Sequence, residues 1–314
     1  MFPSDSELNE AARLIRAGRL VAFPTETVYG LGANALDPAA VARIFEVKGR
    51  PATSPLIVHV ASADAAREIT TSWPPIAQRL AAEFWPGPLT LVLPKHSSIP
   101  SNVTAALETV GVRVPAHPVA LALLERASLP IAAPSANRFM QLSPTTAEHV
   151  RQGLGASVDL ILDGGPTNVG IESTVVSLTG PEPQVLRPGM IGLAVLEEAT
   201  RTLPGGITWT FAPTREMQNA VASGQARGFA SPGLHARHYA PATVLYLLAD
   251  SDPPPPGRGR IIPMPSDPVE YARTLYAKLH EADGEGLEWI ALRRPPDTPE
   301  WAAIRDRLER AATR

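Results

Sequence analysis

Leu20-Val21-Ala22-Phe23-Pro24-Thr25-Glu26-Thr27-Val28-Tyr29-Gly30 sets an apolar run directly against a polar one. Leu20 to Phe23 read as a short strand buried on both faces, the kind found inside a helix-covered sheet. Polar residues just past the end of such a strand stand where open α/β sheets bind their ligands. By themselves, Pro24 to Gly30 fit a turn capped by threonine equally well.

The elements on either side extend the pattern. Ser4 to Ser6 cap a helix whose apolar face is Leu8, Ala11, Ala12 and Ile15, with Gly18 placed to end it. Asp37-Pro38 starts a second helix that runs to Lys48, and Leu56 to Val60 return to strand. Helices are expected near Ile76 to Phe84 and Val119 to Arg126, and again after Ser143-Pro144 through Val150. Strands are expected at Leu89 to Leu93, Gly111 to Val114, Pro130 to Ala133, near Leu160, at Thr174 to Leu178 and at Gln184 to Leu186. This alternation predicts an α/β domain with helices over a twisted sheet; strand order is not readable from it.

From Leu203 to Tyr239 the periodicity fades into Gly, Pro, Ser, Ala and Thr, which marks a long connector. Order resumes with strands at Thr243 to Leu248, Ile261-Ile262 and Trp289 to Arg293, and helices at Pro268 to Ala282 and Trp301 to Ala312. That is half of a doubly wound unit, too small to stand easily alone, so it is expected to lean on the larger domain. The organisation predicted is residues 1–200, a connector at 201–241, and a small α/β domain at 242–314.

The chain has 314 residues, 44% of them hydrophobic, which is enough for a sizeable core and two domains rather than one. Zero cysteines excludes disulfides, zinc–thiolate sites, iron–sulfur clusters and thiol nucleophiles. A net charge of −3 gives the whole molecule no polycation character. No apolar run approaches the roughly 18 residues of a membrane helix, and the first residues lack an export signal, so a cytoplasmic location without membrane contact is expected. Neither GxxxxGK[ST] nor GxGxxG nor HExxH is present.

Candidate site residues gather at strand ends. The chain has only three lysines, and Lys48 is followed by Gly49, which lets backbone approach a ligand, and by Arg50, a planar fork for phosphate or carboxylate. Lys48 and Arg50 also fit a helix C-terminus stabilised through its dipole. His59, in an apolar strand, fits a structural residue as well as a functional one. Arg113 lies inside the strand pattern Gly111 to Pro115, where its charge needs a partner; a ligand carboxylate would supply one. Ala133 to Asn137, Gly170 to Thr174 and Leu186 to Gly189 repeat the strand-edge theme with small polar groups and backbone amides. Together these residues suggest a polyanion bound beside a small polar molecule, without indicating a reaction.

The ordered motifs PTETVYGLG (24–32), KGRPATSPLIVHV (48–60), FWPGPLTLVLP (84–94), VGVRVPAHP (110–118), APSANRF (133–139), SPTTAEHV (143–150), ESTVV (172–176), LRPG (186–189) and SPGLHARHYAP (231–241) resemble the YrdC-like family of L-threonylcarbamoyladenylate synthases, in the long form with a C-terminal extension. The resemblance implies a YrdC-like twisted mixed sheet with flanking helices and a concave site, plus a small Rossmann-like α/β C-terminal domain. It implies a nucleotidyltransferase that makes threonylcarbamoyl-AMP and pyrophosphate from L-threonine, bicarbonate or CO2, and ATP, for threonylcarbamoyladenosine at tRNA position 37. Thr27, His59, Arg113, Ala133 and Ser173 would hold threonine. Lys48, Arg50, Ser54, Thr109, Ser135, Asn137, Ser143, Arg187 and Tyr239 would hold ATP, with Lys48 and Arg50 catalytic and Tyr239 closing over the nucleotide. Mg²⁺ would arrive on the ATP phosphates, with no metal site of the protein's own. The product would pass to tRNA threonylcarbamoyl-transfer proteins, any direct RNA contact being weak. Ser54 departs from the family's frequent Asn, and Phe139, Met140 and Gln141 from its smaller residues. The competing reading is an RNA-binding module using the same concave basic surface; net charge and 5% aromatics argue against it. The connector, with Gly233 and Tyr239, is expected to act as a lid.

Overall fold

The computed structural model describes residues 2–211 and 238–313. Ten strands form one mixed sheet: β1 (Val21–Pro24), β2 (Tyr29–Asn34), β3 (Ile57–His59), β4 (Leu89–Pro94), β5 (Thr109–Arg113), β6 (Ile131–Ala132), β7 (Leu160–Ile161), β8 (Thr174–Ser177), β9 (Gln184–Arg187) and β10 (Thr210–Phe211). Their spatial order is β10-β9-β8-β4-β5-β3-β6-β2-β1-β7. Parallel and antiparallel pairs alternate from β10 to β6, and β6, β2 and β1 follow in antiparallel succession, so strands distant in sequence become neighbours: β3 pairs with β5 in a register that sets His59 opposite Arg113.

Successive residues of β1 point to opposite faces, and both faces are covered. Leu20 and Ala22 pack with Val41 and Ile44 of helix α2 (Pro38–Lys48). Val21 and Phe23 pack with Ile15 of α1 (Asp5–Arg16) and with Val119 and Leu123 of α5 (Pro118–Ala127). This is why the strand carries no polar residue. The helices α3 (Ala63–Glu68), α4 (Pro75–Phe84), α6 (Ala147–Leu154) and α7 (Leu193–Thr200) complete the layers. Ser4 closes a capping box with Glu7 at the start of α1, and Asp37 caps α2.

Sequence periodicity missed β2, α3, α7 and β10. The polar turn from Pro24 leads straight into β2, whose glycines Gly30 and Gly32 weaken the strand signal. The other three elements are too short to show a period. The connector reaches the sheet at β10, beside β9; the rest of it, including Gly233 and the first part of SPGLHARHYAP, lies outside the described residues.

The C-terminal region has three parallel strands, β11 (Val244–Leu248), β12 (Gly259–Ile261) and β13 (Trp289–Arg293), in the order β11-β13-β12. Helices α8 (Pro268–Asp283) and α9 (Ala302–Ala312) pack with them. Its core does not close on itself: Val28, Leu142 and Ile171 of the large sheet's domain join Tyr271, Leu275, Tyr276 and Ile304 in one apolar cluster. His149 of α6 stacks on His280 of α8, with ring centroids 3.9 Å apart. Half a doubly wound unit buries too little by itself, and it leans on its neighbour as expected.

Gly170 permits the closest approach at this seam. Its φ is +82°, and a Cβ there would lie 2.3 Å from the carbonyl oxygen of Ala272 and 2.6 Å from the Cα of Arg273 in α8. Gly170→Ala is therefore expected to cost about 1–3 kcal/mol, read as a lowered thermal midpoint. Gly153→Ala, in α6 with open space around the new methyl, is expected to be neutral or to stabilise by up to about 1 kcal/mol. Equal midpoints for the two variants would contradict this account of the seam.

Candidate functional site

The β1–β2 turn is built by Thr25, whose hydroxyl donates to the Val28 carbonyl at 2.6 Å and accepts the Thr27 and Val28 amides at 3.2 Å. This fixes Glu26 and Thr27 at the end of β1. Arg113, at the end of β5, donates to Thr27 Oγ1 at 3.0 Å and to the Gly87 carbonyl at 3.1 Å. Its Nη2 lies 2.7 Å from Glu26 Oε1, a buried pair too far off line to be a hydrogen bond. Glu26 Oε2 accepts the Ala116 amide at 3.0 Å. The charge on Arg113 thus has a partner inside the protein, Glu26, rather than depending on a ligand carboxylate alone.

A second group of residues sits across the cleft. Gly49, at φ +61°, ends α2 in the left-handed conformation, so Lys48 and Arg50 leave the helix in different directions. Lys48 Nζ donates to the Ser135 carbonyl at 2.6 Å and to the Asn137 carbonyl. Arg50 donates to the Ser54 and Pro55 carbonyls at 3.3 and 3.0 Å, and its guanidinium lies over the Phe139 ring. Arg187, at the end of β9, donates to the Ser173 carbonyl and hydroxyl at 3.1 Å. Ser173 Oγ also meets Thr90 Oγ1 at 2.9 Å.

Most of these groups border one cleft, with about 550 Å³ of space between protein atoms, part of it open to solvent. Of the sequence-predicted residues, Thr27, His59, Arg113, Ala133, Ser173, Arg50, Ser135, Arg187 and Tyr239 line it. The others do not. Lys48 is buried behind the wall on the Ser135 carbonyl, and Ser54 lies at the foot of the Arg50 loop, fully buried. Ser143 stands behind Glu172, donating to Glu172 Oε1 at 2.6 Å. Thr109 opens onto an adjoining hollow of about 290 Å³ that shares Ile57 with the main cavity. Asn137 faces another hollow, with Gln141, His149, His280 and Asp283.

Sequence reading assigned no role to Glu26 or Glu172, although both stand inside quoted motifs, and it passed over Arg307. Glu172 lines the cavity, and its Oε2 accepts Arg307 Nε of α9 at 2.7 Å and the Tyr276 hydroxyl of α8 at 3.2 Å. The helical period sets Arg307 on the buried stripe of α9 with Ala303, Ile304, Leu308 and Ala311, and that placement of a charge among apolar positions was the available signal. Tyr239 is held with φ at +62°, outside the usual range for a side-chain-bearing residue. The Ala240 amide on the Met140 carbonyl at 2.9 Å and the His238 amide on the Arg310 carbonyl at 3.2 Å fix it there.

The electrostatics follow from cations gathered in a dry place. Burial, with Arg50 beside it, pushes the Lys48 ammonium well below its ordinary pKa. Burial pushes Arg50 down to about 10, with Arg187 adding to the effect. Burial and Arg113 push His59 down to about 3. An arriving polyanion would reverse these penalties, because it favours the charged form of each cation.

The fold and site define a class: an α/β protein with a walled, cationic cleft for a polyanion beside a small polar molecule, closed on one side by a second α/β unit. Residues 13–189 match the Sua5/YciO/YrdC family model, described as "Telomere recombination". Residues 194–313 match the model of the threonylcarbamoyl-AMP synthase C-terminal domain. The chain belongs to this family, in its long form. It is 48% identical over 238 residues to the threonylcarbamoyl-AMP synthase of Pyrococcus abyssi, covering 76% of this chain and 66% of that one. It is 34% identical over 370 aligned positions to the synthase of Schizosaccharomyces pombe, covering 98% and 88%. By sequence the chain thus spans about two thirds of the P. abyssi relative. The crystal structure of P. abyssi Sua5 complexed with L-threonine superposes with a TM-score of 0.87 at 38% identity, over 99% of this chain and 96% of that one.

The depressed His59 has a measurable consequence. An unfolded imidazole protonates near its ordinary 6.5, the folded one only near 3, so acid favours the unfolded state across that window. NMR titration should show His59 neutral down to at least about pH 5. His59→Gln should lose less stability than the parent between about pH 7 and about pH 4.5. An imidazole midpoint near 6.5 for His59 would refute the assignment.

Proposed function

We infer that this chain makes threonylcarbamoyl-AMP, joining L-threonine, bicarbonate or CO2, and ATP with release of pyrophosphate, for the threonylcarbamoyladenosine of tRNA position 37. Family membership supports this reading, and so do the relatives of that name. The observation that carries it is the single cavity joining the Thr27–His59–Arg113 end to the Arg50–Arg187–Tyr239 end.

Threonine binds with its carboxylate on Arg113, a charge-assisted contact that completes the bonding left open beside Glu26. Its amine takes up CO2 to form a carbamate. A carbamate oxygen then bonds to the α-phosphorus of ATP as the bond to pyrophosphate breaks. The nucleophile is already anionic, so the protein supplies alignment and charge stabilisation and needs no nucleophile of its own. Lys48 and Arg50 are the catalytic cations, drawn from their carbonyl partners onto phosphate oxygens. Ser135, Arg187 and Tyr239, which line this end of the cavity, hold the rest of the nucleotide, while Ser54, Thr109, Asn137 and Ser143 act from behind or beside the wall. Ala133 and Ser173 complete the threonine pocket. The side chains at the nucleotide end are mainly guanidinium, phenol and hydroxyl groups, which suit phosphate rather than a bare cation. Mg²⁺ therefore comes with ATP, held by phosphate oxygens, whose charge it neutralises.

The product goes to tRNA threonylcarbamoyl-transfer proteins. Among the described residues no helix is long and apolar enough to cross a membrane, and the reaction is placed in the cytoplasm, where tRNA is found. Tyr239, at the end of the connector, is assigned to close over the nucleotide end of the cavity.

Pyrophosphate release should require ATP, bicarbonate and threonine together; serine, one methyl smaller, should be used about 10- to 200-fold less well. Arg113→Ala should raise the threonine KM far more than the ATP KM. Lys48→Ala and Arg50→Ala should each lower kcat by roughly 10²-fold or more. Absence of pyrophosphate release, with RNA binding that weakens steeply with salt, would favour the binding-module reading instead.

A further inference from the structure

Among the largest fully buried side chains of the described residues, Arg307 is the only charged one, at 0% exposure. It belongs to the C-terminal unit, yet its polar contacts outside that unit are with the catalytic cavity's wall: Glu172 Oε2 at 2.7 Å and the carbonyl of Pro188, next to Arg187, at 3.0 Å. Its guanidinium lies over the Tyr239 ring at 5.2 Å, and Asp306 accepts from Nη1 at 2.5 Å. Glu172 has the wrong sign for a cavity that holds a phosphate chain. Without a fixed partner, its carboxylate would repel phosphate or turn onto Arg187 and withdraw that cation from the nucleotide.

We propose that Arg307 is a positioning residue for the nucleotide half of the site: from the C-terminal unit it neutralises Glu172 and holds it against Ser143, leaving Arg187 and Tyr239 turned to the cavity. The proposal rests on the reading of this cavity as the ATP site. Glu172 is faced by Arg307 of α9, Tyr276 of α8, Arg187 of β9, Ser143 and Tyr239, with Asp306 on the far side of Arg307. Burial acts to raise the Glu172 carboxyl and the cations, Arg307 foremost, hold it below its ordinary value. Removing Arg307 takes away the largest of the effects that hold the carboxyl down, so Glu172 takes up a proton more readily. The sign then follows: acid restores neutrality to the cavity wall in the variant, and changes little in the parent.

The test measures pyrophosphate release with ATP and threonine varied separately. Arg307→Met keeps the volume and removes the charge. It should raise the ATP KM about tenfold or more while moving the threonine KM much less. That defect should shrink as pH falls, and adding Glu172→Gln in the same chain should recover most of it. Arg307→Lys, which keeps the charge and loses the fork, should fall between parent and Met variant; it supplies the same comparison if the Met variant does not fold. A purely structural role would lower thermal stability and leave the ratio of the two KM values, its pH dependence and the rescue unmoved, which would overturn the proposal. A parent chain with no ATP- and threonine-dependent release would instead overturn the reading of the activity itself.

Discussion

Charge buried in one cleft is the constraint to which the rest of the structure answers. Arg50, Arg113 and Arg187 line it, and Lys48 stands behind its wall. Each would be costly without a partner. The chain satisfies them in two ways. Carbonyls of the 54–55 and 135–137 loops take Arg50 and Lys48, and two glutamates balance the ends, Glu26 against Arg113 and Glu172 against Arg307. Main-chain carbonyls are weak enough partners to yield to a phosphate, whereas a carboxylate pair is not. The arrangement therefore separates cations held by main-chain carbonyls from cations held against carboxylates.

That separation depends on the mixed sheet. Mixed parallel and antiparallel pairing between strands distant in sequence brings the ends of β1, β3, β5 and β9 around a common hollow, although the residues they carry are spread from Thr27 to Arg187. The C-terminal unit then closes the far side. It shares an apolar cluster with the large-sheet domain and sends Arg307 and Tyr276 to the same carboxylate. Because the smaller unit buries its face only by docking, its packing and its electrostatic contribution form together.

Much of this was legible in the sequence. The run from Leu20 to Phe23, the capped helix starts at Ser4 and Asp37, and the late alternation from Thr243 to Ala312 each carry a local signal of period, cap or breaker, and each element is found. The residues of the cavity were recognisable because they stand in motifs at strand ends. Less was legible where a signal is short or diluted: β2 is interrupted by glycines, and α3, α7 and β10 span too few residues to show a period. Glu26 and Glu172 were visible as letters within their motifs, but a carboxylate's role is set by the cation that meets it, and neither partner is near in sequence.

Composition, periodicity and motif by themselves determined the α/β class, the two-part organisation, the freedom from thiol chemistry and most of the cavity's lining, because these depend on local pattern and residue type. Tertiary structure alone decided that Arg113 faces Glu26, that Lys48 lies behind the wall, that Thr109 opens on a neighbouring hollow, and that an arginine of the last helix reaches Glu172. Those outcomes depend on which strands become neighbours and on how one unit docks against another. A side chain's environment at that range is fixed by packing between elements, which no short stretch of sequence records.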